Sequence, residues 1–240
     1  LRHLRRYVCL NNGYAQDNAM KLAINPVTPF AQNSCVIWCE KTMRGAVTDP
    51  GGDLDKILAV AEENGVTIEK ILITHAHLDH AGATAELAEK LGVPIEGPHK
   101  RDQFLIDQLP KSAERYRFPE ARVFVPTRWL EDGDTVTVGE EVLDVVHCPG
   151  HTPGHVVFIS KTGRIAIVGD VLFQGSIGRT DLPQGNYGHL IDAITNKLWK
   201  FGDDITFVPG HGGTSTFGNE RKWNPFVSDF AVSMNSGQGV

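Results

Sequence analysis

The segment Thr74-His75-Ala76-His77-Leu78-Asp79-His80 gathers three imidazoles and one carboxylate within six residues, directly behind the apolar run Ile71-Leu72-Ile73. Side chains alternate along an extended chain, so a strand rising out of that run places His75 and His77 on the same side. Asp79 and His80 then fall on the bend before a helix. Imidazole nitrogens and carboxylate oxygens together suit a divalent transition metal, with zinc first and iron or manganese as alternatives. No cysteine joins the cluster. That separates it from closed, thiolate-rich structural zinc sites and suits a centre that keeps one coordination position open for chemistry.

Three more candidate ligands sit in turns that follow apolar runs: His151 in Cys148-Pro149-Gly150-His151, Asp170 in Val168-Gly169-Asp170, and His211 in Val208-Pro209-Gly210-His211-Gly212. A single histidine in a Gly/Pro-rich turn carries little information by itself. Seven ligating side chains, each just past an apolar run, form a constellation.

The elements that must position them read as α/β. Strands are expected over 22–28, 35–40 and 45–48, punctuated by Pro26, Pro29 and Asn33, and again over 71–74. Asp49-Pro50 closes the third, and Pro50 pushes Asp49 toward an extended conformation. Asp53 is placed to cap a helix that buries Leu54, Ile57, Leu58 and Ala61 and ends at Asn64-Gly65. A second helix runs over 83–91 with Leu87 and Leu91 inward, stopped by Gly92. Residues 100–128 mix charges of both signs with Phe104, Tyr116, Phe118 and Phe124, and predict one helix plus a solvated connection. Further strands follow over 135–138, 141–147, 156–160 and 164–169, then an outer helix over 186–200 with Leu190, Ile191, Ile194 and Leu198 inward, and a last strand over 205–208. Ligand loops at the C-terminal ends of strands are where α/β folds place their sites.

The chain has 240 residues, 41% hydrophobic and 22% charged, which suits one globular domain with a sizeable core. Its net charge of -6 gives no reason to expect a nucleic-acid partner. No apolar run approaches the roughly 18 residues that span a membrane. The four cysteines, Cys9, Cys35, Cys39 and Cys148, make no C-x-x-C pair and no disulfide framework, so a reducing, cytoplasmic setting is expected. Cys148 lies three residues before His151 and reads as a small buried hydrophobe rather than a nucleophile. Residues 1–19 read as an extension upstream of, or appended to, the domain, which would occupy 20–230 and end in a flexible tail over 231–240. The opening Leu1-Arg2-His3-Leu4-Arg5-Arg6 is basic but is followed by no secretory apolar core. A mitochondrial-type presequence is the functional alternative, weakened by the lack of serine.

The run His75-x-His77-x-Asp79-His80, followed in order by His151, Asp170 and His211 and preceded by Asp49, resembles the signature of the metallo-β-lactamase-fold hydrolases over about residues 20–230. The resemblance implies a single-domain αββα sandwich. It implies a first metal on His75, His77 and His151, a second on Asp79, His80 and His211, and Asp170 bridging both. It also implies that Asp49 supports the metal-binding histidines without binding metal and that His155 is a support rather than a ligand. A metal-bound hydroxide would be the nucleophile, with Asp79 relaying a proton.

The stretch Gly175-Ser176-Ile177-Gly178-Arg179-Thr180-Asp181, with Gly202-Asp203-Asp204 and the ending from Asn219-Glu220-Arg221 to Asn224-Pro225-Phe226, is most similar to small bacterial glyoxalase II enzymes of the second type. These hydroxyacylglutathione hydrolase-like proteins cleave S-lactoylglutathione to lactate and glutathione. The expected partner is therefore a small-molecule thioester. Larger glyoxalase II enzymes hold glutathione on a C-terminal helical domain, whereas this chain ends about thirty residues past His211. Arg179, which can instead pair with Asp181, and Arg221 are the substrate-binding candidates. Persulfide dioxygenases with one iron share the fold and the Gly-Arg-Thr-Asp segment and are the alternative. A β-lactamase, a phosphodiesterase and a non-catalytic metal-binding module are weaker readings.

Overall fold

The computed structural model describes residues 20–236, and the extension expected over 1–19 lies outside the described residues, as do 237–240. The first half opens with three antiparallel strands, β1 (Met20–Val27), β2 (Gln32–Cys39) and β3 (Arg44–Thr48). Helix α1 (Leu54–Glu63) carries the chain back so that β4 (Thr67–Leu72) pairs parallel to β3. After the single turn α2 (Leu78–Ala81) and α3 (Thr84–Leu91), the short β5 (Ile95–Glu96) completes a sheet of order β1-β2-β3-β4-β5. Helix α4 (Gln103–Tyr116) leads into the second half, where β6 (Thr135–Val138), β7 (Glu141–His147), β8 (Val156–Ser160) and β9 (Ile165–Gly169) run antiparallel. A ribbon of β10 (Leu172–Phe173) and β11 (Ser176–Ile177) and then α5 (Tyr187–Asp192) precede β12 (Thr206–Pro209), which pairs parallel to β9. Strand β13 (Ser215–Thr216) gives the second sheet the order β13-β12-β9-β8-β7-β6, and α6 (Phe217–Trp223) and α7 (Asp229–Ser236) follow.

The two sheets pack face to face around Leu22, Cys35, Ile37 and Leu72 from the first and Val136, Leu143, Val145, Phe158, Ile167 and Val208 from the second. Ile57, Leu87, Ile106 and Leu109 of α1, α3 and α4 cover the outer face of the first sheet, and Leu190, Ile194, Leu198 and Phe217 cover that of the second. This is the αββα sandwich. Strand β2 is buried along its whole length because both its faces are covered. Full burial of a side chain such as Phe158 contributes about 1.5–3 kcal/mol. Among the described residues no helix is long and apolar enough to cross a membrane.

Several expectations are corrected. Asp53 does not cap α1: its backbone is left-handed, at φ 51°, and its carboxylate accepts from the Thr28 amide at 3.1 Å and pairs with Lys56. A capping side chain needs an extended backbone to reach the second or third helical amide. The outer helix over 186–200 is not regular. After α5 it widens into a π-helical turn over Ala193–Lys197 and tightens into a 3₁₀ turn over Leu198–Phe201. Leu190, Ile194 and Leu198 remain buried as expected, since their spacing of four selects a face without dictating the hydrogen-bond ring. Helix α7 takes in residues 231–236 of the tail expected to be flexible. The short strands β5, β10, β11 and β13 are two residues each, too short to leave a periodic signal.

Glu220 on α6 ties the C-terminal end to the rest. It is buried, and its carboxylate accepts from the Gly175 amide at 2.7 Å, the Ser215 hydroxyl, and the side-chain amides of Asn224 at 2.9 Å and Asn219 at 3.0 Å. Burial would raise its pKa, but these hydrogen bonds prevail and hold it below the usual glutamate value. A carboxylate with a depressed folded-state pKa stabilises the fold above its unfolded pKa, and the gain disappears as pH falls through the folded value. Glu220→Gln should therefore cost about 1–3 kcal/mol at neutral pH. In urea unfolding the difference from wild type should shrink toward zero below about pH 4; a penalty independent of pH would contradict the assignment.

Candidate metal centre

The loops that carry the candidate ligands all leave the C-terminal ends of strands: Asp49 after β3, residues 74–80 after β4, His151 after β7, Asp170 directly after β9 and His211 after β12. They meet at one edge of the sandwich, where backbone hydrogen bonds join the two halves. The Val156 amide donates to the Thr74 carbonyl at 2.8 Å and the Asn33 amide to the Gly210 carbonyl at 2.7 Å, while within the second half the Gly210 amide donates to the Gly169 carbonyl at 2.7 Å. Gly210 has no alternative there, because a Cβ would lie 2.0 Å from Asp170 Oδ1 and 2.6 Å from His80 Cε1. Gly169 takes the left-handed backbone (φ 49°) that turns Asp170 inward.

Two groups of side chains converge at this edge. In the first, His77 Nδ1 lies 3.1 Å from His75 Nε2 and 3.0 Å from His151 Nε2. In the second, His211 Nε2 lies 3.2 Å and His80 Nε2 3.7 Å from Asp79 Oδ2. Asp170 stands between them: Oδ2 is 3.5 Å from His151 Nε2 and 3.8 Å from His211 Nε2, and Oδ1 is 3.4 Å from His80 Nε2. His75, His77 and His151 have the mutual spacing of a metal-binding group, and so do Asp79, His80 and His211. All seven residues expected as ligands thus come together.

The outward-facing ring nitrogens fix which nitrogen points inward without a proton. Thr74 gives its one hydroxyl proton to Asp49 Oδ2 at 2.6 Å, so toward His75 Nδ1, 3.1 Å away, it accepts. His80 Nδ1 donates to Asp49 Oδ2 at 3.0 Å, His151 Nδ1 to the Arg179 carbonyl at 2.8 Å, and His211 Nδ1 to the Phe30 carbonyl at 3.2 Å. In the neutral ring each Nε2 therefore presents a lone pair to the centre. A proton on His77 Nδ1 could satisfy one of its two neighbours but not both. His80 Nε2 and Asp170 Oδ1 are buried without any hydrogen-bond partner. Acceptors that converge with so few protons to share suit a cation. The first group's spacings of 3.0 and 3.1 Å also fit one: bonds of about 2.0–2.1 Å put neighbouring ligand atoms about 2.8–3.0 Å apart in an octahedral and about 3.3–3.4 Å apart in a tetrahedral arrangement.

The two groups differ in charge. Burial and the neighbouring imidazoles hold His75 well below the usual histidine range and bring His77 down to about 3, and burial lowers His151. At His80 burial is outweighed by Asp170 and Asp79, which hold the ring well above that range. The hydrogen bond with Asp79 likewise raises His211. Asp170 and Asp79 are both lowered despite burial, chiefly by His80. The first group is thus three neutral imidazoles, and the second is a place where two carboxylates draw positive charge.

Asp49 takes the supporting place expected of it, but not in the extended conformation expected from Pro50. It is left-handed, with φ 47°. The Thr74 amide at 2.7 Å, the Thr74 hydroxyl and His80 all bind its carboxylate, and they hold the backbone in a conformation that aspartate tolerates better than most residues. Thr74 and the carbonyls of Phe30 and Arg179 are supports that the motifs do not reveal, because a backbone carbonyl leaves no mark in a sequence. His155 is a support: its Nε2 accepts from the Asp170 amide at 3.0 Å and its ring stacks on His75. Arg179 pairs through two bonds of 2.7 Å with Asp181 on the exposed rim. Arg221 is taken up by Asp229 and Asp203 at the α6–α7 junction, and these contacts do not bring it to the cluster. Cys148 is packed in the core of the second half, where burial pushes its thiol up, so it is no nucleophile. Asp49→Asn should weaken metal binding about 10–100-fold, measured by chelator competition; unchanged affinity would contradict the Asp49–Thr74–His75 and Asp49–His80 relays.

The Metallo-beta-lactamase superfamily matches this chain over residues 27–211. A Haemophilus influenzae protein named hydroxyacylglutathione hydrolase GloC is 41% identical over 210 residues, which is 87% of this chain and 99% of that protein. Among solved structures, BLEG-1 B3 metallo-beta-lactamase aligns with a TM-score of 0.79 at 30% identity, covering 86% of this chain and 99% of that one. TTHA1623 in a di-iron-bound form aligns with a TM-score of 0.76 at 33% identity, covering 85% and 98%. The matched span takes in every candidate ligand from His75 to His211, and the chain belongs to the metallo-beta-lactamase superfamily of metal-dependent hydrolases.

Proposed function

We propose that this protein is a binuclear thioester hydrolase acting on S-lactoylglutathione or a closely related hydroxyacyl thioester. The observation that carries the metal part is the set of inward lone pairs, each fixed by a hydrogen bond on the far side of its ring. The observation that favours the thioester is 41% identity to a hydroxyacylglutathione hydrolase across nearly all of that protein. His75, His77 and His151 would hold one divalent cation, Asp79, His80 and His211 the other, and Asp170 both. Zinc suits this nitrogen and oxygen donor set, and so does iron.

Such a pair of cations supplies a water of lowered pKa at neutral pH and polarises the thioester carbonyl. The chain's own part is positional and electrostatic. Asp170 and Asp79 would balance the added charge, and Asp170, between the two groups, would be shared by both cations. Asp79 Oδ2, a fifth exposed as a side chain, can accept a proton at the mouth of the site while His211 orients it. The Arg179–Asp181 pair orders the rim loop whose carbonyl aims His151. No serine or cysteine nucleophile is needed.

Protein loaded with zinc or iron should release free glutathione from S-lactoylglutathione, and chelation should abolish turnover. Asp79→Asn should lower kcat about a hundredfold or more; normal turnover with both metals retained would remove Asp79 from the mechanism. One iron per chain, no thiol release, and oxygen consumption with glutathione persulfide would replace the hydrolase reading with the dioxygenase one.

A further inference from the structure

Asp102 lies outside the ligand loops, yet it is bonded to two of them. It closes a 3₁₀ turn, Lys100–Asp102, ahead of α4 and is fully buried, at 0% exposure. Its Oδ2 accepts from the Ala76 amide at 3.1 Å and the Thr152 hydroxyl at 2.8 Å, and its Oδ1 accepts from the Gly154 amide. Ala76 is the residue between His75 and His77, and Thr152 is the residue after His151. All three donors are neutral.

The neighbouring backbone tightens the same joint. The His99 amide donates to the Gly154 carbonyl at 3.0 Å and the Asp102 amide to the His99 carbonyl at 3.0 Å. A Cβ on Gly154 would lie 2.6 Å from the Asp102 amide nitrogen, so the two loops meet at backbone distance. Burying a carboxylate without a basic partner is unfavourable unless hydrogen bonds satisfy it. These bonds run from one carboxylate to both loops of the first group, one loop from each sheet. The second group is held by other means. Asp49 holds His80, the Phe30 carbonyl holds His211, and the Asn33 side chain binds the carbonyls of Pro209 and Gly212 at 3.0 Å on either side of His211.

We propose that Asp102 is the positioning residue of the first metal group: it spaces the loop of His75 and His77 against the loop of His151, so that their three nitrogens are preorganised for a cation. This deepens the two-cation reading and rests on it. Asn is isosteric but puts an NH₂ where one oxygen now accepts, so Asp102→Asn breaks at least one of the three bonds without opening a cavity.

The test titrates metal-free protein with Co²⁺ against a chelator, following the visible absorption of the bound ion. It is done in two backgrounds, His211→Ala, which leaves the first group, and His151→Ala, which leaves the second. Adding Asp102→Asn should weaken the first group about 10–100-fold and shift its absorption spectrum, and should change the second less than about threefold. Equal losses at both groups would show a general structural role and overturn the proposal, as would undiminished binding at the first. Should Asp102→Asn not fold, Thr152→Val removes one donor only, and the same comparison decides by the same criterion. Wild-type protein that binds no ion at either group would overturn the two-cation reading and this proposal with it. Two ions bound by wild type and an unaffected first group in the variant would overturn this proposal alone.

Discussion

Everything at the active edge follows from one constraint: imidazole lone pairs and two carboxylates are packed together with too few protons to satisfy them. Water cannot relieve this, because His75, His80 and Asp170 are almost entirely shielded from solvent. A buried acceptor without a donor costs about 1–3 kcal/mol, and a buried unpaired charge costs more. A cation bound among these groups would offset that cost. The rest of the architecture can be understood as the means of holding these groups together against that cost.

The sandwich does this by division of labour. Hydrophobic packing between and outside the sheets supplies the stability, and the loops at the strand ends supply the ligands. Because the ligands come from both halves, the centre is only as well defined as the joints between the halves. Those joints are specific. They are the Val156–Thr74 and Asn33–Gly210 backbone bonds, the close approach allowed by Gly210, and the Asp102 carboxylate between two loops. Asp49 supports His75 through Thr74 and His80 directly, the Arg179 and Phe30 carbonyls accept from His151 and His211, and Asp170 lies between both groups.

Much of this was legible in the sequence. Three histidines and an aspartate within six residues have few other uses, and their register along one strand end places them without further information. Most core-facing residues of α1 and of the stretch after Asn186 were legible too, since periodicity marks a buried face, although Leu58 and Ile191 are only partly buried and Val60 takes a buried place on α1 that was not expected. Hydrogen-bond geometry was not. The turn after α5 widens although its buried face is the expected one, and Asp49 and Asp53 are left-handed where extended backbone was expected. Both aspartates are held by contacts distant in sequence: Asp49 by Thr74 and His80, Asp53 by Thr28. Asp102 was hidden for a related reason. It stands in a segment of mixed charges that reads as a solvated surface, and only the approach of Ala76, Thr152 and Gly154 marks it as buried. Carbonyl supports such as Phe30 and Arg179 depend on where the backbone passes, not on side-chain type.

The most direct measurement of the central claim is anomalous X-ray scattering from crystals of the metal-loaded protein, with data collected on both sides of the metal's absorption edge. Two peaks about 3.5–4 Å apart are predicted. One should lie about 2.0–2.2 Å from His75 Nε2, His77 Nδ1 and His151 Nε2, the other at similar distances from Asp79 Oδ2, His80 Nε2 and His211 Nε2, with Asp170 between them. No peak at this edge of the sandwich, or a single peak with Asp79, His80 and His211 left without a metal, would contradict the binuclear account.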